Sequence, residues 1–159
     1  MSSAHKNLSI FKTENLPDIS DKKFVILVAE WNEDITEPLA QGAIDTLLAY
    51  GAKEANVSKI YVPGSYELSF GAQIYAQKEE VAAVIAIGCV IQGETKHNDY
   101  INHAVAGGLT DVSLKYNKPV IFGVLTPNTH QQALDRAGGI HGNKGDEAAI
   151  TAIKMLGLK

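Results

Sequence analysis

The sequence holds a single cysteine, Cys89, and a single tryptophan, Trp31, among 159 residues. One cysteine excludes an internal disulfide framework and fits a reducing compartment. No stretch approaches the ~20 consecutive apolar residues of a membrane span. Lys and Arg nowhere cluster with interleaved aromatics, and the net charge is −4, which argues against a nucleic-acid surface. The N-terminal "MSSAHKNLSIFKTENLPDISDKK" lacks the apolar core of a secretory signal, so the Asn-x-Ser sequons at Asn7 and Asn56 carry little weight. The expected location is the cytoplasm. There is no Walker loop, and no Gly-x-Gly-x-x-Gly follows the first apolar run. A nucleotide cofactor is therefore not indicated.

What is present is an ordinary globular balance, 45% apolar and 20% charged, in a length that suits one domain. Residues 1–22 are polar and read as an N-terminal arm, and residues 23–159 as a single domain. "LSIF" is the only apolar piece of the arm. It suits either a disordered tail or a short strand that pairs with another segment.

From Phe24 onward strand and helix patterns alternate. "FVILVAE", "VSKIYVP", "VAAVIAIGCVI" and "PVIFGVLT" are β-branched apolar runs of the kind found in strands covered on both faces. Between them lie helical patterns. In "TEPLAQGAIDTLLAYG" Thr36 is placed to cap, Pro38 near the first turn and Gly51 at the end. "SYELSFGAQIYAQK" follows the second strand. "NDYINHAVAGGLTDVSLKY" carries Ile101, Val105, Leu109, Val112 and Tyr116 at helical spacing. "THQQALDRAGG" reads as a short helix ending at its Gly pair, and "GDEAAITAIKML" as the last helix. This alternation predicts an α/β fold: a four-stranded parallel sheet with helices on both faces.

Parallel sheets bind ligands beyond the carboxyl ends of their strands, and each strand here ends in unusual residues. The third runs into Gly93-Glu94-Thr95-Lys96-His97. Free amides at the following helix start, with the Thr95 hydroxyl, suit a phosphate; they also suit a plain capped helix. His97 at that junction is able to move protons near neutral pH, or to be an ordinary surface histidine. His97, Asp99 and His103 lack the spacing of a metal-ligand set. Trp31, directly after the first strand, is either a stacking platform for a planar heterocycle or a rim aromatic. In Pro63-Gly64-Ser65-Tyr66-Glu67 the glycine lets backbone approach a ligand and Glu67 can accept bonds from sugar-like hydroxyls; a simple turn accounts for the same residues. Arg136, near Lys144 and Glu147, can grip a phosphate or sit at a solvated helix end. Cys89, inside a strand with no base beside it in sequence, reads as packing and not as a nucleophile.

Taken in order, "EWNEDI", "VPGSYEL", "IAIGCVIQGETKHNDYI", "FGVLTPNTHQQALDRAG" and "GNKGDEAA" make the chain resemble the 6,7-dimethyl-8-ribityllumazine synthases of riboflavin biosynthesis, from about Phe24 to the C-terminus. The resemblance implies a flavodoxin-like three-layer sandwich with strand order 2-1-3-4. It implies condensation of 5-amino-6-(D-ribitylamino)uracil with 3,4-dihydroxy-2-butanone 4-phosphate through an imine, with loss of phosphate and water, and no cofactor or metal. By position it implies that Trp31 stacks on the pyrimidinedione and that Ser65, Tyr66 and Glu67 hold the ribityl chain. Cys89, Val90 and Ile91 would line the heterocycle pocket, partly through backbone groups. Glu94, Thr95 and Arg136 would bind phosphate, and His97 would shuttle protons. Phe122 would reach a neighbouring subunit's pocket, with Lys144 and Glu147 near the site. Such shared pockets imply a homo-oligomer, and the resemblance implies a pentamer as its basic unit. The short link "AGGIHGNKG" favours further closure into a sixty-subunit shell. A riboflavin synthase partner is left open. Glu30 and Gln92 stand where the family often has Arg, Trp31 where Phe is commoner, Cys89 where Thr is frequent, and Asn98 where an aromatic is common. A non-catalytic flavin- or lumazine-binding protein and a shell-forming scaffold are the competing readings.

Overall fold

The central strands are made almost entirely of residues that favour extended backbone and burial. In the computed structural model, which describes Asn7 and residues 9–158, β1 (Lys23–Ala29) and β3 (Val81–Cys89) are buried along nearly their whole lengths. β2 (Val57–Val62) and β4 (Val120–Leu125) flank them as partly exposed edges. The four strands form one parallel sheet in the order β2-β1-β3-β4, with Leu27 of β1 opposite Ile60 of β2 and Ala86 of β3, and Ala86 opposite Phe122 of β4. The parallel direction is the one expected from the alternation of strands and helices, and the order is the one the resemblance implied.

Alternation of side chains along the strands creates two cores. Phe24, Ile26 and Val28 face α1 (Glu33–Ala49) and α5 (Lys144–Leu156), whereas Val25 and Leu27 face α2 (Leu68–Ala76) and α3 (His97–Tyr116). Each fully buried Leu, Ile or Phe contributes roughly 1.5–3 kcal/mol. An exposed ion pair such as Lys22–Asp21 contributes about 0–1 kcal/mol, so the two-faced strands dominate the stability. On α3 the buried residues are Val105, Leu109 and Val112, three of the five expected from the spacing; Ile101 and Tyr116 pack against the same core while staying partly exposed. Where α1 meets α5, a Cβ at Gly145 would lie 1.8 Å from the Leu39 carbonyl oxygen. Only glycine permits that approach.

Three local expectations are corrected. The first helix begins at Glu33, not beside Thr36. Asn32 adopts left-handed backbone, φ 63 and ψ 48, and its carbonyl accepts from the Ile35 and Thr36 amides, both at 2.9 Å. Thr36 is buried inside α1 and donates its hydroxyl to the Ala29 carbonyl at 2.8 Å. Pro38 accordingly lies in the second turn, and its carbonyl accepts from Asn143 Nδ2 at 2.9 Å. The end of α1 is as expected: Gly51 has φ +101, and the Gly51 and Ala52 amides close onto the Leu48 and Leu47 carbonyls, both at 3.0 Å, which is a Schellman motif.

The second correction concerns "SYELSFGAQIYAQK". Ser65–Glu67 form a single 3₁₀ turn before α2. The third concerns the Gly pair. α4 (His130–Leu134) stops short of it, and Gly138 and Gly139 belong to β5 (Ala137–Gly139), which pairs antiparallel with β6 (Gly142–Asn143). Gly138 and Gly142 both have positive φ, so this segment turns as a hairpin instead of ending a helix.

Of the apolar piece in the arm, Leu8 lies outside the described residues. Among the described arm residues there is no strand. Ile19 is fully buried, and Phe11 and Leu16 pack against the α1–α5 core. Among the described residues no helix is long and apolar enough to cross a membrane.

Candidate active site at the carboxyl edge of the sheet

Because all four strands run the same way, their carboxyl ends share one edge, and a cavity of about 780 Å³ opens there. It lies where β1 and β3 stand side by side while the chain order jumps from one to the other, the position at which doubly wound sheets form a crevice. Trp31 and Asn32 come from the turn after β1. Gly64, Ser65, Tyr66 and Glu67 come from the turn after β2. Cys89, Val90 and Ile91 come from the end of β3. Gly93, Thr95 and His97 lead into α3, whose first turns add Asn98, Tyr100 and Ile101.

The polar groups are set by short local contacts. Glu67 is held close over Gly64, where a Cβ would lie 3.1 Å from a Glu67 carboxylate oxygen. Ser65 is buried, and its Oγ has no hydrogen-bond partner among the described residues. It sits against β3 at Gly88, where an added Cβ would lie 2.5 Å from that oxygen. A buried hydroxyl of this kind costs stability unless a ligand group meets it. The Thr95 hydroxyl accepts from the His97 amide at a long 3.4 Å. Trp31 is 74% exposed and Tyr100 equally so, and both are therefore available to a planar guest.

Cys89 is almost fully buried, and burial, with a smaller contribution from the Asp34 charge, pushes its thiol up to about 12. It is a neutral wall residue and not a nucleophile. Among the described residues no group of three or more His, Cys, Asp or Glu is placed to hold a metal ion.

Nine of the residues singled out from the sequence meet around this cavity: Trp31, Ser65, Tyr66, Glu67, Cys89, Val90, Ile91, Thr95 and His97. Glu94, Phe122, Arg136, Lys144 and Glu147 are not among the residues that line it in a single chain. Phe122 lies on edge strand β4 and is 36% exposed. Arg136 is part-buried beside α4 and donates from Nη1 to the Gln132 carbonyl at 2.9 Å. Lys144 and Glu147 pair at 3.0 Å on the first turn of α5, in the layer on the other face of the sheet. Sequence reasoning missed Asn32, Asn98, Tyr100 and Ile101 as lining residues. Tyr100 and Ile101 had a signal, since they follow His97 by three and four residues and so share its helix face. Asn32 had none.

Residues 21–159 match the family model described as 6,7-dimethyl-8-ribityllumazine synthase. A protein of that name from Cytophaga hutchinsonii is 62% identical over 98% of this chain and 98% of its own length. One from Parabacteroides distasonis is 51% identical over 98% of each chain. One from Porphyromonas gingivalis is 52% identical over 100% of this chain and 99% of its own.

Proposed function

The chain belongs to the 6,7-dimethyl-8-ribityllumazine synthase family, and from that premise we propose how its cavity carries the reaction. The protein is a transferase of riboflavin biosynthesis. It condenses 5-amino-6-(D-ribitylamino)uracil with 3,4-dihydroxy-2-butanone 4-phosphate to give 6,7-dimethyl-8-ribityllumazine, phosphate and water.

In our reading the pyrimidinedione stacks on Trp31 and rests against Cys89, Val90 and Ile91, whose backbone groups read its edge. The ribityl chain lies along Ser65, Tyr66 and Glu67. The phosphate of the second substrate sits at the start of α3 beside Glu94 and Thr95. His97, beside it, takes and returns protons as the uracil amine adds to the ketone, as the imine forms and as phosphate leaves. Both substrates are reactive already, so holding them in register supplies much of the acceleration. The observation that carries this reading is the unpartnered, buried Ser65 hydroxyl in the same cavity as the exposed Trp31 ring and the imidazole of His97.

The cavity walls of a single chain include neither Lys nor Arg among the described residues. A phosphate dianion calls for a cation. We therefore assign Arg136, with Phe122, Lys144 and Glu147 nearby, to the neighbouring site of an adjacent copy. The assembly is a homopentamer, closed further into a shell of sixty chains. A single cysteine, which allows no internal disulfide, suits the cytoplasmic setting we propose, and a riboflavin synthase is the natural consumer of the product.

The deciding assay mixes both substrates with the protein and follows lumazine absorbance and fluorescence. Product formation well above the rate in buffer is expected. A protein that binds lumazine but yields no product would overturn the reading.

A further inference from the structure

At the bottom of the crevice two neighbouring strands part, and one side chain bridges the gap. β1 and β3 pair in register through Val28 and Ile87. The β1–β3 register ends at that pair, while on the β2 side the ladder runs on, the Glu30 amide donating to the Val62 carbonyl at 2.9 Å. The peptide between Cys89 and Val90 gives its N–H to the Leu125 carbonyl at 2.8 Å, on the β4 side. In a planar trans peptide the C=O points opposite to the N–H, so the Cys89 carbonyl faces the departing β1. Asn32 Nδ2 donates to that carbonyl at 2.9 Å. A side-chain amide thus continues the ladder where backbone no longer can.

The backbone of Asn32 is committed as firmly as its side chain. It stands in the left-handed region, φ 63 and ψ 48, which asparagine tolerates better than most residues. Its carbonyl starts α1 by accepting from Ile35 and Thr36. Trp31 lies between the end of β1 and this doubly anchored residue. Its ring is 74% exposed, so packing does little to orient it and the backbone must.

We propose that Asn32 is a positioning residue: by tying the β1–α1 turn to the end of β3 it fixes the Trp31 ring above the cavity wall at the spacing a pyrimidine needs. The inference deepens the proposed function and rests on its reading of Trp31 as the stacking residue. Asn32 acts through Trp31 and takes no part in proton transfer.

Two variants and a spectroscopic readout test it. Asn32→Gly keeps left-handed backbone easy and removes only the bridge. Asn32→Asp keeps size and turn preference but sets a carboxylate oxygen against the Cys89 carbonyl. Both should raise KM for the ribityl-uracil about tenfold, the factor carried by one ordinary hydrogen bond, with kcat and the KM for the phosphate substrate unchanged. Trp31 is the only tryptophan, so its fluorescence anisotropy reads the ring directly and should fall in both variants while Tm shows that they fold. Unchanged uracil KM and unchanged anisotropy would overturn the proposal, as would a loss confined to kcat. Trp31→Ala separates the two layers of inference. If it raises the uracil KM while the Asn32 variants do not, only the positioning role falls. If it leaves the uracil KM unchanged, the stacking reading falls and the positioning role with it.

Discussion

Ser9 donates its hydroxyl to Asp146 Oδ2 at 2.5 Å, joining the N-terminal arm to the first turn of α5 across 137 residues of sequence. The same Ser9 oxygen accepts from the Asn143 amide at 3.0 Å. The arm is therefore seated on the α1–α5 layer by a specific polar contact as well as by Phe11, Leu16 and Ile19.

That contact gives a pH dependence. Burial raises the Asp146 carboxyl above its ordinary 3.8, and the nearby Asp45 charge adds to this, although the hydroxyls of Ser9 and Thr46 pull the other way. The folded chain thus holds this proton more tightly than the unfolded chain. The resulting stability is complete below the unfolded value and is lost as pH rises through the folded one. Asp146→Asn does not titrate. The Tm of the variant minus that of the wild type should become more positive as pH rises from the ordinary carboxylate range towards neutrality. Parallel thermal melts across that range check this, and a flat difference contradicts it.

His97→Ala should lower kcat about 10²-fold, the lower range for loss of a positioned acid–base group, and leave turnover above the rate in buffer because orientation survives. Steady-state kinetics with both substrates decide it. An unchanged kcat removes His97 from the chemistry.

Arg136→Ala should raise KM for the phosphate substrate about tenfold or more, as expected for a lost bond to a charged group, and spare the uracil KM. A shift confined to the uracil would move Arg136 away from the phosphate. Since Arg136 does not line its own chain's cavity, mixed assemblies of His97→Ala and Arg136→Ala chains should regain activity. Such mixing places an intact His97 opposite an intact Arg136 at some interfaces. No recovery on mixing would return Arg136 to its own chain's site.

The Cys89 thiol, pushed up to about 12 by burial, should resist a thiol reagent such as dithionitrobenzoate at pH 8 and react with one equivalent once the chain is unfolded in guanidinium. Rapid labelling of the folded protein would show that this wall of the cavity opens.

Light scattering on the purified protein should give a particle of about sixty chains. A particle near five chains would retain the pentamer and remove the shell.

The strand runs, their parallel direction and the two-sided covering were legible because they depend on continuous apolar runs and their alternation with helical patterns: FVILVA and VAAVIAIG suit strands buried on both faces. The Schellman end of α1 was legible for the same local reason, since Gly51 suits positive φ. Thr36 was misread as a cap because its hydroxyl bonds to Ala29, on the preceding strand, a partner that local pattern does not reveal. The glycines at positions 138 and 139 were misread because a helix end and a hairpin favour the same residue.

The sequence by itself determined that the turns after the parallel strands share one carboxyl edge, because strand direction leaves no other edge for them. Only the tertiary structure decided how they are held. Asn32 bridges to Cys89, Ser65 lodges against Gly88 without a partner, and Arg136 stays outside its own cavity. These are distances between segments that the chain brings together by packing, and hydrogen bonds form or fail over a few tenths of an ångström that no spacing along a sequence encodes.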